Sequence, residues 1–163
     1  MEGRTLLQYC LYMATELNYV VWTDLDNEGG LSKLLVANPT SIQMIRMWPY
    51  VVLIDTTYIT NKQKWPLYEV IGMTPTNHNF LNAFCLMRDE VAVSYSWALQ
   101  GLRDIFGTAH TRSVIVTDRD EGLSAAIREV FPDVRHLLRI WHIANNVENM
   151  VDKLCGGKRN QQE

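Results

Sequence analysis

The stretch VVLID, residues 51–55, decides the fold, because a run of apolar residues ends there in a carboxylate. Nearly continuous β-branched and apolar residues are typical of a strand that is covered on both faces. A carboxylate buried at the end of such a strand is costly unless something pairs with it. A second stretch, VIVTD at residues 114–118, repeats the pattern. Asp55 and Asp118 are therefore the first candidates for functional residues.

The segments that follow VVLID predict an α/β chain. Apolar periodicity and the intervening turns predict the order β-β-β-α-β-α-β-α from residue 51 onward. The predicted strands are 51–55, 65–75, 79–88, 113–118 and 133–140, and the predicted helices are 89–107, 121–132 and 141–157. Asp89 and Glu90 lie at the predicted start of the first of these helices, where carboxylates favour the helix dipole.

The residues before this block predict a separate extension. Helical spacing covers residues 4–17, and a hairpin follows with strands at Tyr19–Thr23 and Leu31–Ala37. A short helix then starts at Pro39. The predicted organisation is an N-terminal helix and hairpin extension at 1–48, a core at 49–155 and a disordered tail at 156–163.

Composition and charge exclude several classes of protein. The chain has 163 residues, 47% of them apolar and 20% charged, as expected of one globular domain. Its net charge of −3 excludes strong nucleic-acid binding through bulk charge alone. No apolar run is long enough for a membrane span, and no signal peptide is evident. Three widely spaced cysteines predict an intracellular protein, in the nucleus or cytoplasm, that is not secreted.

The two aspartates are expected to meet at one edge of the sheet. If the helix at 89–107 is a crossover, the strands that end in Asp55 and Asp118 are parallel neighbours. Two close carboxylates repel each other unless a cation lies between them, and oxygen ligands suit Mg²⁺ or Mn²⁺. Such a centre could support phosphoryl displacement. The alternative is that each aspartate caps the turn or helix after it, and this applies most to Asp118.

Two blocks of the sequence resemble the MULE (Mutator-like element) transposase domain. The first is DTTYITNKQKWPL at 55–67, and the second is VIVTDRDEGLSAAIREVFPDVRHLLRIWHIANNV at 114–147. The matching positions include Asp55, Thr57, Tyr58, Thr60, Asn61, Pro66, Leu67, Asp118, His136, Trp141 and His142. The resemblance runs from about residue 49 to residue 150.

This resemblance implies a ribonuclease H-like fold, with a mixed five-stranded sheet and flanking helices. It also implies DDE-type chemistry, in which two Asp and a later Glu bind two divalent metal ions, Mg²⁺ or Mn²⁺. The family cuts DNA by water attack and joins the 3′ hydroxyl to target DNA. Asp55 and Asp118 would be the first two acids, with both catalytic and metal-binding roles. The implied partner is DNA at transposon ends, in the nucleus.

Two departures from the family pattern bear on activity. The family usually has a Cys three residues before the His of its Trp-His motif, whereas this chain has Arg139 before His142. His142 is kept as an auxiliary candidate. The third acid normally comes later, and the available Glu148, Asp152 and Glu163 lack its context. The sequence is therefore expected to be a transposase core truncated before its third acid and inactive alone.

Other functions remain open at this point. Plant transcription regulators of the far-red light pathway resemble these transposases, so a domesticated, non-catalytic DNA- or protein-binding module is one alternative. A compact nuclease that uses Asp55, Asp118 and a local Glu is another. Basic residues near the acids could contact phosphate or lie solvated at the surface, namely Lys62, Lys64, Arg119, Arg135 and Arg139. Assembly into a homo-oligomer is also left open.

Overall fold

The computed structural model describes residues 6–57 and 64–139. The helices are α1 Leu6–Glu16, α2 Pro39–Met47, α3 Ala92–Phe106 and α4 Glu121–Val130, and a short 3₁₀ segment covers Gly107–Arg112. The strands are β1 Val20–Leu25, β2 Leu31–Ala37, β3 Val51–Thr57, β4 Leu67–Met73, β5 Asn79–Met87, β6 Val114–Thr117 and β7 Arg135–Leu138. The predicted helix at 141–157 and the tail lie outside the described residues. None of the described helices is long and apolar enough to cross a membrane.

The strands form one mixed sheet in the order β1-β2-β5-β4-β3-β6-β7. Strand β6 pairs in parallel with both β3 and β7, while the other pairs are antiparallel. The α/β class and the mixed sheet are confirmed. The parallel arrangement of β3 and β6 follows the sequence prediction, because α3 separates them along the chain and returns it to the same edge.

The predicted five-stranded sheet is wrong in its strand number, because the N-terminal hairpin adds two strands. Residues 33–37 of β2 pair antiparallel with residues 83–87 of β5. Leu35 and Ala37 are fully buried and join the same hydrophobic cluster as the central strands. The hairpin buries apolar surface by continuing the sheet, so in this structure it is part of the sheet and not an appendage. The domain boundaries themselves stay a prediction.

Two hydrophobic clusters cover the two faces of the sheet. Helices α2, α3 and α4 pack on one face, which we call the helix face, around Ile54, Ile115 and other buried side chains. Helix α1 packs on the opposite face, against residues such as Val36 and Phe84. Because side chains alternate along a strand, Asp55 points away from the helix face that buries Ile54. We call this opposite side the acid face.

The start of α3 differs from the prediction. The helix begins at Ala92 after Val91, so Asp89 and Glu90 precede it instead of occupying its first turn. The Ser94 hydroxyl donates a hydrogen bond to Asp89, while Glu90 accepts one from a tyrosine of β4. Glu90 is therefore held by the Tyr68 hydroxyl of β4, and the expected place in the first turn of the helix is not occupied by it. At the other end, Gly107 takes a φ of 55°, in the region that favours glycine.

Candidate functional site

Asp55 and Asp118 lie side by side at the carboxyl edge of two parallel strands. The register pairs Ile54 with Thr117, and each aspartate is the next residue along its chain. The two strands end at the same edge because they run in the same direction. The predicted juxtaposition is therefore confirmed, although the metal-binding and catalytic roles of the two residues stay predictions.

A guanidinium group lies between the two carboxylates. Arg139 Nη2 is 3.3 Å from Asp55 Oδ1, and Arg139 Nε is 3.3 Å from Asp118 Oδ1. The second contact is an ion pair without hydrogen-bond alignment, although both atoms are buried. The three side chains are 26–32% exposed. Arg139 thus supplies the positive charge that two adjacent carboxylates require.

The position of Arg139 is set by the sheet. Its backbone N–H donates to the carbonyl of Thr117 at 2.8 Å and so continues the parallel pairing of β6 with β7 by one residue. Arg139 therefore stands beside Asp118 in the same register in which Leu138 stands beside Thr117. The sequence pointed to this residue as a departure from the family pattern and as a candidate phosphate contact. Its contact with both aspartates depends on the register.

A third carboxylate, which the sequence analysis missed, extends this row. Glu69 of β4 pairs directly with Asp55 in the antiparallel register, so the two side chains share the acid face. The row across the sheet edge is therefore Glu69, Asp55, Asp118 and Arg139. Glu69 is the one charged residue in the apolar run LYEVIGM, residues 67–73, so it is expected on the less buried face of the strand. Nothing in the sequence fixes which residue of β3 it opposes.

A divalent metal ion does not fit the described residues as they are arranged. The oxygen donors are of the right type for Mg²⁺ or Mn²⁺, but the guanidinium of Arg139 is in contact with both carboxylates. Within residues 6–57 and 64–139, no three His, Cys, Asp or Glu side chains come together as a metal-ligand set. His142 and the three late acids considered for the third position lie outside the described residues.

Helix capping near Asp118 is carried out by another residue. Asp120 is the N-cap of α4, and its Oδ1 accepts a hydrogen bond from the Leu123 amide at 2.6 Å. The Asp118 carbonyl accepts from the Asp120 amide at 3.0 Å, which is a backbone contact of the turn. The helix is therefore capped by Asp120 and not by Asp118, for which capping was the alternative. The Asp118 carboxylate faces Arg139 instead.

A hydroxyl network lies on the helix face of the same edge. The Tyr68 hydroxyl donates to Glu90 Oε1 at 2.9 Å and lies 3.1 Å from the Tyr95 hydroxyl. The Tyr95 hydroxyl in turn lies 3.2 Å from Asp120 Oδ2. Burial raises the pKa of Tyr68 and of Tyr95, so both hydroxyls stay protonated and can donate. This network joins β4, α3 and the start of α4.

His136 of β7 belongs to the helix face as well. Its Nε2 lies 2.9 Å from the hydroxyl of Thr117, which donates to the Asp118 carbonyl at 2.8 Å. Burial lowers the pKa of His136, and the nearby Arg128 lowers it further. A neutral imidazole that donates from Nε2 satisfies all three groups. His136 thereby supports the backbone that carries Asp118, from the side opposite to Arg139.

Comparison with known proteins identifies related sequences. The MULE transposase domain matches residues 51–146, more than half of the chain. Protein FAR-RED IMPAIRED RESPONSE 1 of Arabidopsis thaliana is 31% identical over 148 residues, which are 90% of this chain and 18% of that protein. Protein FAR1-RELATED SEQUENCE 2 of the same plant is 33% identical over 103 residues, 63% of this chain and 12% of that protein.

A fungal protein also matches. PKS-NRPS hybrid synthetase cheA of Chaetomium globosum is 38% identical over 99 residues, 59% of this chain but 2% of the synthetase. The chain spans less than a fifth of the length of each of these relatives. The match to the family over residues 51–146 includes both aspartates and Arg139. The chain belongs to the MULE transposase domain family.

Proposed function

We propose that this chain is a MULE-derived binding module of the transcription-regulator kind, which acts on DNA or on a protein partner without cutting DNA. The observation that supports it most is the guanidinium of Arg139 at 3.3 Å from each of the two family aspartates. The charge that a metal ion would balance is balanced in part by the chain itself. A centre of this kind holds strand ends together but presents no activated water.

The relatives support the same proposal. Two of them are Arabidopsis proteins, one named for an impaired response to far-red light and the other named as related to it. Those names describe a light response and not DNA cleavage. The alignment with the first of them covers 148 residues, which are 90% of this chain. Carried over to this chain, the likeness implies a nuclear protein with a role in gene regulation.

A transcription reporter tests the regulatory role. The chain would be fused to an unrelated DNA-binding domain in plant cells, with that domain alone as the baseline. We expect the fusion to change reporter output, and we expect Asp55→Asn to leave that change intact because no metal chemistry is involved. A fusion that behaves like the DNA-binding domain alone would contradict the proposal.

A second candidate function is metal-dependent DNA cleavage and strand transfer, the chemistry implied by the family. One observation favours it: Asp55 and Asp118 end adjacent parallel strands, where two acids could share a metal ion. The strands from β3 onward occur in the order β5-β4-β3-β6-β7. Strand β4 pairs antiparallel with β5 and β3, and β6 pairs in parallel with β3 and β7. This order supports a ribonuclease H-like assignment for that part of the sheet.

Nicking of supercoiled DNA separates the two candidates. The purified chain would be incubated with plasmid in Mg²⁺, in Mn²⁺ and in EDTA, beside Asp55→Asn and the control Asp133→Asn at an exposed turn position. The binding-module proposal expects no nicking under any condition. Nicking that requires Mn²⁺, disappears in Asp55→Asn and persists in Asp133→Asn would establish the nuclease instead.

A further inference from the structure

We propose that Arg139 is the resident cation of the Asp55–Asp118 pair, so that the protein does not respond to divalent metal ions, and that removing its charge creates a divalent-cation site. The inference deepens the proposed function and concerns the same sheet edge. It makes a separate claim, about metal binding and not about gene regulation. The family implies a metal ion at a position where this chain has the guanidinium of Arg139.

The geometry places the guanidinium where a bridging cation would lie. One nitrogen contacts Asp55 and another contacts Asp118, each at 3.3 Å. The Arg139 backbone is held by its hydrogen bond to Thr117, so the side chain leaves the sheet from a fixed point. The planar guanidinium presents several donors in a rigid arrangement, which suits contact with two carboxylates at once.

The charges at this edge explain why Arg139 and a metal ion exclude each other. Asp55 and Asp118 carry two negative charges and Arg139 carries one positive charge, which leaves one negative charge on the three residues. Glu69 adds a further negative charge next to Asp55. A divalent ion that entered beside the guanidinium would meet a like charge at short range. Without that charge, the same carboxylates would attract a divalent ion strongly, since two close carboxylates need a cation between them.

Solvent access makes the change observable. The Asp55 and Asp118 side chains are 32% and 29% exposed, so an ion in solution can reach them without unfolding of the sheet. The carboxylates stand on strand ends that are held by pairing on both sides. Their separation is therefore set by the sheet and does not depend on Arg139 alone.

The experiment is a calorimetric titration of MnCl₂ into the wild type, Arg139→Gln and Arg139→Lys. We expect no saturable binding by the wild type or by Arg139→Lys, because both keep a cation at the centre. We expect Arg139→Gln to bind Mn²⁺ saturably, with an affinity at least roughly tenfold above the weakest that the titration can detect, because a like charge is gone from the site. Its thermal midpoint should rise with MnCl₂ and not with NaCl of equal ionic strength.

Two further variants locate the effect. Arg139→Gln combined with Asp55→Asn should lose the gained binding, because one of the two ligands is neutralised. Arg88→Gln is the matched control, since Arg88 also pairs with an aspartate, Asp26, but at an exposed position far along the edge. It should remain as insensitive to Mn²⁺ as the wild type.

The outcomes are distinct. The inference is overturned if the wild type binds Mn²⁺ as tightly as Arg139→Gln, or if folded Arg139→Gln gains no binding. Arg139→Gln is refolded in MnCl₂ if it does not fold alone. Recovery of the folded protein supports the inference, and failure to recover in MnCl₂ overturns it. A wild type that binds Mn²⁺ without nicking DNA would overturn this inference and leave the proposed function standing. A wild type that does not bind Mn²⁺ and has no effect in the reporter assay would contradict the proposed function and leave this inference standing.

Discussion

The two faces of the sheet hold acidic side chains at the same edge by different chemistry. On the helix face, the buried hydroxyls of Tyr68 and Tyr95 contact Glu90 and Asp120. On the acid face, Asp55 and Asp118 contact the guanidinium of Arg139 and lie partly open to solvent. The first arrangement uses neutral donors in the interior, and the second uses a charge at the surface.

This difference separates structural acids from the candidate functional pair. A tyrosine hydroxyl satisfies a carboxylate oxygen but leaves its charge in place. The Tyr95 hydroxyl lies 3.5 Å from Glu90 Oε1 and 3.2 Å from Asp120 Oδ2, so it stands between these two carboxylates. The Tyr95 ring fixes this spacing, because it packs perpendicular to the Tyr68 ring at 5.5 Å and reaches the N-cap of α4. Asp55 and Asp118 lie adjacent, and their proximity requires the cation. The comparison can be tested on each side by substitution.

The largest effect is expected from Tyr95→Ala. Tyr95 is 2% exposed, and its removal would leave a cavity and break the hydroxyl network. We expect a loss of about 3–5 kcal/mol in the free energy of unfolding, as for other large aromatic side chains in cores. Urea unfolding measures it, with Tyr50→Ala as the control because Tyr50 is 51% exposed. Similar losses in both variants would show that the network is not a structural centre.

Asp120→Ala should have the next largest effect. It removes the N-cap of α4 and the acceptor of the Tyr95 hydroxyl together. We expect a loss of about 1–2 kcal/mol, the upper range for an N-cap. Hydrogen exchange should show the change first in the amides of the first turn of α4. The neighbouring Glu121→Ala, at an exposed position, should change little. A larger loss in Glu121→Ala would argue against the assignment of the cap.

A double-mutant cycle measures the acid face. Asp118→Ala, Arg139→Ala and the double variant should give a coupling free energy of about 1 kcal/mol, because the pair is partly buried. The same cycle for Asp26 and Arg88, whose arginine is 61% exposed, should give less than about 0.5 kcal/mol. Both couplings are read from urea unfolding at low and high NaCl, and that of Asp118 with Arg139 should fall less with salt. Equal couplings in the two cycles would contradict a special role for Arg139.

The smallest effect is a pH dependence that involves His136. Burial and then Arg128 lower the pKa of His136 in the folded chain, below the value of about 6.5 that is usual for an unfolded chain. The unfolded chain therefore binds the proton more readily, and stability is lost as the pH falls from that value through the folded pKa. Urea midpoints should show a shallower loss on acidification in His136→Gln than in the wild type. A steeper loss of stability on acidification in His136→Gln would contradict the attribution of this pH dependence to His136.

Much of the sheet could be predicted from local patterns. The runs VVLID and VIVTD and the helix between them were enough to expect two parallel strands with an acid at each end. The bounds of β2, predicted at Leu31–Ala37, are those observed. The partner of the N-terminal hairpin was not predicted, because its apolar alternation is compatible with any free strand edge. Strand β2 pairs with β5 because this position buries its apolar side chains in the same cluster as the central strands.

The start of α3 shows a second kind of limit. Acidic residues at 89 and 90 match the composition of a helical first turn, so the sequence favoured an earlier start. Tyr68 lies 22 residues away from Glu90 and provides the partner that holds it outside the helix. A local rule was overridden by a contact between distant residues, which no pattern within the segment could reveal.

By itself, the sequence determined the α/β class, the family and the presence of two acids at strand ends. These follow from short-range periodicity and from motifs that are read along the chain. The tertiary structure decided how those acids are neutralised, because Arg139 reaches Asp118 only through the parallel register of β6 and β7, and Asp55 through that of β3 and β6. Register is a property of paired strands, and the energy of an ion pair depends on distances that pairing sets. Along the chain, Arg139 is a departure from the family pattern. In three dimensions it is the cation that contacts both Asp55 and Asp118.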